Sequence, residues 1–170
     1  MRKILFLAML VVLAVAVAGT TAFATGGKGK SKSFRANLTG FQEVPAISTG
    51  AHGTFKAKVN DGTLSYTLSY SGIEGGTAVF AHIHLGQRGV NGGVSAFLCG
   101  GGDKPACPAT AGTVTGVIDP ADVVGPAGQG IAPGEFDELI AAMRAGVTYA
   151  NVHSDPMWLG GEIRGQIKRG

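Results

Sequence analysis

The chain has 170 residues, of which 15% are charged and 7% aromatic, and 29 are glycine. That glycine share, roughly 17% against a usual 7%, disfavours a helical bundle, and 45% hydrophobic content with no Gly-X-Y period excludes both collagen and a disordered chain. Setting aside Arg2 and Lys3 of an apparent leader takes the 14 basic residues to 12 against 11 acidic. That near-balance speaks against a phosphate-backbone binder, so no nucleic-acid partner is expected.

Met1-Arg2-Lys3 opens the chain with positive charge, and Ile4 to Ala18 is an uninterrupted apolar run of 15 residues. The run is shorter than the roughly 20 residues that span a bilayer. Ala22-Phe23-Ala24 then supplies the small-x-small pattern that a signal peptidase reads. Residues 1–24 are therefore expected to be a signal peptide, leaving no transmembrane anchor after cleavage. The mature protein is expected to be secreted or extracytoplasmic, in a periplasm or at a cell surface. Residues 25–33, rich in Gly, Ser and Lys, read as a flexible linker, and residues 34–168 as one domain.

Phe34, Ala36 and Leu38 alternate with Arg35 and Asn37, which predicts a half-buried strand. A second strand runs from Gly53 to Val59. Asn60-Asp61-Gly62 marks a hairpin, and Leu64, Tyr66, Leu68 and Tyr70 alternate on the return. Further strands are predicted at Thr77 to Leu85, Val94 to Leu98, Thr113 to Ile118, Val147 to His153 and Glu162 to Ile167. Between Ile118 and Gly134, prolines and glycines predict a long ordered loop. Phe136, Leu139, Ile140 and Met143 follow helical spacing over Glu135 to Arg144, with acids in the first turn and Gly146 as the stop. The predicted fold is mainly β: an antiparallel Greek-key sandwich or barrel of about eight strands with one short amphipathic helix.

Cys99 and Cys107 are the only cysteines and flank a Gly/Pro-containing loop. In an exported chain such a pair predicts a structural disulfide.

The two-residue period of a strand puts Phe80, His82 and His84 on one face and Ala81, Ile83 and Leu85 on the other. His153 ends a similar strand. If the two strands are close, three imidazoles converge on a set suited to Cu(II) or Zn(II), with copper the possible cofactor. Asp155 and Glu162 could then orient an imidazole, and Arg164 could steer an anion. The plainer alternative has the histidines bonded to loop backbones or to one another. His52, in a Gly/Ser/Thr turn, is expected to be exposed. Glu162 and Arg164, on one face of the last strand, are candidates for an ion pair with a neighbouring strand. No nucleophile pattern, P-loop or strand–helix GxGxxG occurs. Asn37-Leu38-Thr39 is a formal glycosylation sequon with Asn37 predicted to face outward.

Phe34-Arg35-Ala36-Asn37-Leu38-Thr39-Gly40, Glu43-Val44-Pro45 and Ala81-His82-Ile83-His84-Leu85-Gly86 resemble the start and middle of the chordin (CHRD) domain family. So do Gly134 to Gly146, Tyr149 to His153 and Gly160 to Ile167, in the same order, which extends the resemblance over Phe34 to Ile167. The resemblance implies an exported all-β module. This chain lacks the Cys-rich repeats through which chordin binds growth factors, so that role does not transfer. A second resemblance is to the copper/zinc superoxide dismutase family. Phe80 to His84 is similar to its strand with two copper-ligand histidines, and Val152-His153 to a later one. No histidine-rich zinc loop follows Gly86, so this likeness implies at most a mononuclear copper site at His82, His84 and His153. With no complete catalytic constellation, the expectation is a non-enzymatic binding or structural module whose partner is an extracellular protein or glycan. A mononuclear copper-binding protein is the alternative.

Overall fold

The computed structural model describes residues 32–170, so the expected signal peptide and most of the linker lie outside the described residues. Nine strands follow one another as β1 (Ser33–Thr39), β2 (His52–Asn60), β3 (Thr63–Ser71), β4 (Gly76–Leu85), β5 (Gly93–Cys99), β6 (Gly112–Ile118), β7 (Thr148–Pro156), β8 (Trp158–Gln166) and β9 (Lys168–Arg169). A single helix, α1 (Phe136–Ala145), precedes β7. All the strands pair in one antiparallel sheet in the order β5-β4-β7-β8-β1-β2-β3-β6, with β9 alongside β1. The sheet curls almost into a barrel around one core, as the alternating short strands predict.

The alternation decides which way each strand faces. In β1, Phe34, Ala36 and Leu38 are buried while Arg35 and Asn37 are exposed. Leu38, Phe55, Leu64 and Leu68 are fully buried, each contributing about 1.5–3 kcal/mol by leaving water. Asp61 (φ 42°) and Gly62 (φ 79°) both take positive φ in the β2–β3 hairpin, the condition for a two-residue turn that matches strand twist. Helix α1 buries Phe136, Leu139, Ile140 and Met143 in the same core. It stops at Gly146 in the left-handed region, whose N–H reaches the Ala142 and Met143 carbonyls.

Two strands end the sheet, β5 and β6, and the seam between them is spanned by side chains and loops. The Tyr66 hydroxyl on β3 donates to the Leu98 carbonyl on β5 at 2.6 Å. Cys99 and Cys107 form the expected disulfide, closing the loop that leaves β5. Residues 119–134 lie along the outer edge of β5: the Val124 N–H donates to the Ser95 carbonyl, and the Gly93 N–H donates to Gln129 Oε1.

Candidate metal centre

The site lies on the outward face of β4, β7 and β8, opposite the apolar face that Ala81, Ile83, Val152 and Ile163 turn into the core. Antiparallel register sets Phe80 across from His153, His82 across from Asn151, and His84 across from Tyr149. Across the next ladder Asn151 meets Arg164 and Tyr149 meets Gln166. The two-residue period thus brings one polar row from each strand together. Bulges in the β4–β5 ladder, between Ala81 and His82 and between Ile83 and His84, lie at the two histidines themselves.

His82, His84 and His153 each offer a nitrogen within 4.8 Å of the other two. Each residue is only 7% exposed. His153 Nδ1 donates to the Leu159 carbonyl at 2.8 Å, so a neutral ring presents its lone pair at Nε2. That Nε2 stands 3.0 Å from His82 Nδ1, which donates to it, and 3.0 Å from Asn151 Oδ1, so the Asn151 amide must turn its N–H₂ inward to donate there. His84 Nδ1 donates to the Gly92 carbonyl at 2.9 Å, and its Nε2 is buried with no hydrogen-bond partner. Backbone carbonyls thus fix both rings through Nδ1, the usual preparation of a histidine for a metal, but only the Nε2 of His84 is without a partner, that of His153 being engaged by His82. Two nitrogens bound to one ion at about 2.0–2.1 Å lie at most about 4.2 Å apart, so shifts under about 1 Å complete the set.

Burial holds all three imidazoles neutral. His82 is pulled down to about 3 by burial, reinforced by His153 and His84. Burial also brings His84 to about 4, opposed by the bond to Gly92, and lowers His153 against its bond to Leu159. Aromatic rings wall the site: Phe97 meets His82 edge-on at 4.6 Å, and Phe80 stacks on it at 5.9 Å.

Arg164 is 1% exposed and holds the loop whose Gly92 carbonyl anchors His84. Its guanidinium donates to Asn91 Oδ1 and to the Gln87 and Val90 carbonyls, and it lies over the Tyr149 ring. Tyr149 stacks in turn on His84 at 4.7 Å, and its hydroxyl accepts from the Gly92 N–H. Glu162 lies away from the imidazoles. Its carboxylate accepts from Thr49 Oγ1, the Glu74 and Gly75 N–H groups and Ser154 Oγ, bracing the strand next to His153. It is not ion-paired with Arg164. Asp155 is exposed, across from Thr77, and His52 is exposed as expected.

Sequence reasoning did not single out Glu43 and Asn151 as site residues. A Cβ on Gly161, whose φ is +124°, would meet Glu43 Oε1 at 2.6 Å and Asn151 Nδ2 at 2.8 Å. Burial pushes the Glu43 carboxyl up to about 7, against the pull of Arg164, and its Oε1 is buried without a partner. Asn151 shares the alternation that singled out His153, and that period was the available signal. Glu43 comes from a loop, where no period points.

A polar face of three strands, holding three imidazoles beside a pinned loop on a nearly closed β-barrel, defines the class of the molecule: a mainly β domain with a candidate metal-binding centre. Residues 34–167 match the family model described as the CHRD domain, nearly all of the described chain, and the protein belongs to that family. No curated protein and no solved structure matches the chain. The CHRD family and the Cys99–Cys107 disulfide fit an extracellular protein. No helix among the described residues is long and apolar enough to cross a membrane.

Proposed function

We propose that this CHRD-domain protein is an exported, non-enzymatic binding module that holds a single transition-metal ion at His82, His84 and His153. One observation carries the reading: three neutral imidazoles converge within 4.8 Å, with the Nε2 atom of His84 buried and unpartnered. An unused lone pair inside a protein is costly unless something occupies it. The all-nitrogen set, with neither carboxylate nor thiolate, suits Cu(II) or Zn(II), and the general affinity order favours copper. Tyr149 and Arg164 keep the His84 ring in place, while the carbonyls of Gly92 and Leu159 select the binding tautomers. Residues 1–24, in this reading, are the export signal, and residues 25–33 tether the domain.

The test is a copper and zinc titration of residues 25–170 beside a His82→Ala/His84→Ala/His153→Ala variant, read as stoichiometry and as the Cu(II) spectrum. One tight equivalent, absent from the variant, is expected. A folded, disulfide-intact protein that binds neither metal would leave the histidines as a hydrogen-bonded brace between β4 and β7. The 3.0 Å contact of His82 with His153 favours that second reading.

A further inference from the structure

The near-zero net charge of the mature chain conceals a strong segregation of its charges. No acidic residue lies on β1, β2, β3 or β9. Arg35 is directly opposite Lys56 on one side and Lys168 on the other, and Lys58 stands opposite Ser33. Like charges placed across a ladder destabilise a sheet, so folding gives no reason for this arrangement. Lys104, by contrast, pairs with Asp103 and Asp122. Among the described residues, none of Arg35, Lys56, Lys58, Arg88 and Lys168 is paired with a carboxylate.

Beside this row, Arg35, Arg88 and Lys168 line a cleft of about 450 Å³ together with Asn37, Gln42 and Gln166. Three cations with no acid among them present charge for an anion; the Gln42 and Gln166 amide N–H groups are already spent on Asn37, Gly86 and Gly146, which leaves the Asn37 side chain and the amide oxygens for hydroxyls. The outward residues of β2 and β3 nearby, Thr54, Ser65, Thr67 and Ser69, extend the hydroxyl-bearing surface. Phe41, 74% exposed, stands at an adjoining hollow that Gln42, Arg88, Arg164 and Gln166 also line, together with Glu43, an acid that burial favours in its neutral form. One ring of this kind suits the apolar face of a sugar, whereas single-stranded nucleic acid is held on a series of aromatic platforms. No exposed apolar side chain on the outward face of β1 to β3 is available to enter a bilayer.

We propose that the cleft and the cationic row of β1, β2 and β9 form a binding site for an acidic polysaccharide, whose carboxylate or sulfate groups meet Arg35, Arg88 and Lys168. The cleft adjoins the histidine centre, sharing with it the loop that carries Arg88 and the β8 row that carries Gln166, but none of the three histidines lines it.

The experiment measures binding of residues 25–170 to polygalacturonate and dextran sulfate, with neutral dextran, duplex DNA and phosphatidylglycerol vesicles alongside, over a range of salt. Both acidic glycans are expected to bind in a salt-dependent way and neutral dextran not at all. Arg35→Gln/Lys168→Gln should weaken glycan binding about tenfold and flatten its salt dependence. The same variant should melt no lower than the parent, because it relieves a like-charge contact. A Lys28→Gln/Lys30→Gln/Lys32→Gln variant separates the linker cations from the cleft and should retain most of the affinity. The proposal fails if the linker variant loses the binding, or if the cleft variant binds as the parent does. It fails equally if DNA or vesicles bind more tightly than both glycans.

Discussion

The Cζ atom of Arg164 stands 3.4 Å from the centre of the Tyr149 ring, while His84 stacks on Tyr149 at 4.7 Å with the ring planes 3° apart. Groups this close can occupy only opposite faces, so Tyr149 is held between a buried cation and a candidate metal ligand. Tyr149→Phe keeps the ring and loses only the acceptor for the Gly92 N–H. It should bind copper much as the parent does. Tyr149→Ala should weaken copper binding by about 10–100-fold and lower stability by about 3–5 kcal/mol. Isothermal titration and thermal melts of the two variants check this, and equal affinities would sever His84 from the stack.

Acid should destabilise the metal-free protein through its histidines, with Glu43 opposing. His82 and His84 have folded values of about 3 and 4, below the unfolded value of 6.5. Their contribution is therefore complete above pH 6.5 and is lost as pH falls towards those folded values. At pH 5 the loss is roughly 2 kcal/mol for each. Glu43 rises from 4.5 to about 7, so the folded state gains stability as pH falls through that window, by at most about 3 kcal/mol. With His153 shifted in the same direction the histidine losses outweigh the Glu43 gain, so the parent should lose stability from pH 7 to 5 and collapse below 4.5, once the Glu43 gain is complete. Glu43→Gln should begin to fall near pH 6.5. Melting curves between pH 8 and 4 decide it; superimposable profiles would remove Glu43 from the balance.

Glu162 is expected to matter for stability and not for the metal. Its carboxylate is fully buried and accepts four hydrogen bonds. Glu162→Gln sets an amide against donors that a carboxylate had satisfied, at a cost of about 2–4 kcal/mol. Metal stoichiometry should stay at one per chain. Loss of metal by a folded variant would instead place Glu162 in the support of His153.

Gly161→Ala tests how closely Glu43 and Asn151 approach the backbone. The new methyl would crowd both side chains at a backbone φ of +124°, and about 2–3 kcal/mol of destabilisation is expected. Because the Asn151 side chain touches His153 Nε2, copper affinity should fall as well. Gly160→Ala next door meets nothing within 4 Å and serves as the control. Identical behaviour of the two would mean that the crowding relaxes freely.

Eight of the nine strands, the hairpin at Asp61-Gly62, the helix with its Gly146 stop and the disulfide were legible in the sequence, because each depends on local alternation or local backbone chemistry; β9 and the first half of β8, from Trp158 to Gly161, show no such alternation. The convergence of His82, His84 and His153 was not, since it depends on β4 and β7 being neighbours although 62 residues separate their nearest ends. The roles of Arg164 and Glu162 were equally hidden. Arg164 spends its donors on the loop at Gln87 to Asn91, and Glu162 on Thr49, Glu74, Gly75 and Ser154, contacts that no spacing encodes. Net charge was the most misleading guide. It averages over a molecule in which β1, β2, β3 and β9 carry cations and no acid, while the carboxylates lie elsewhere.

The segment of residues 119–134 along the outer edge of β5 has a consequence for how the molecule behaves in a crowd. An unpaired strand edge invites the edge of another copy, and nearly closed barrels are exposed to this at their seam. Here Val124 occupies the Ser95 carbonyl and Gln129 the Gly93 N–H, so the edge arrives already occupied. A second copy approaching along β5 would have to displace this segment before it could pair there.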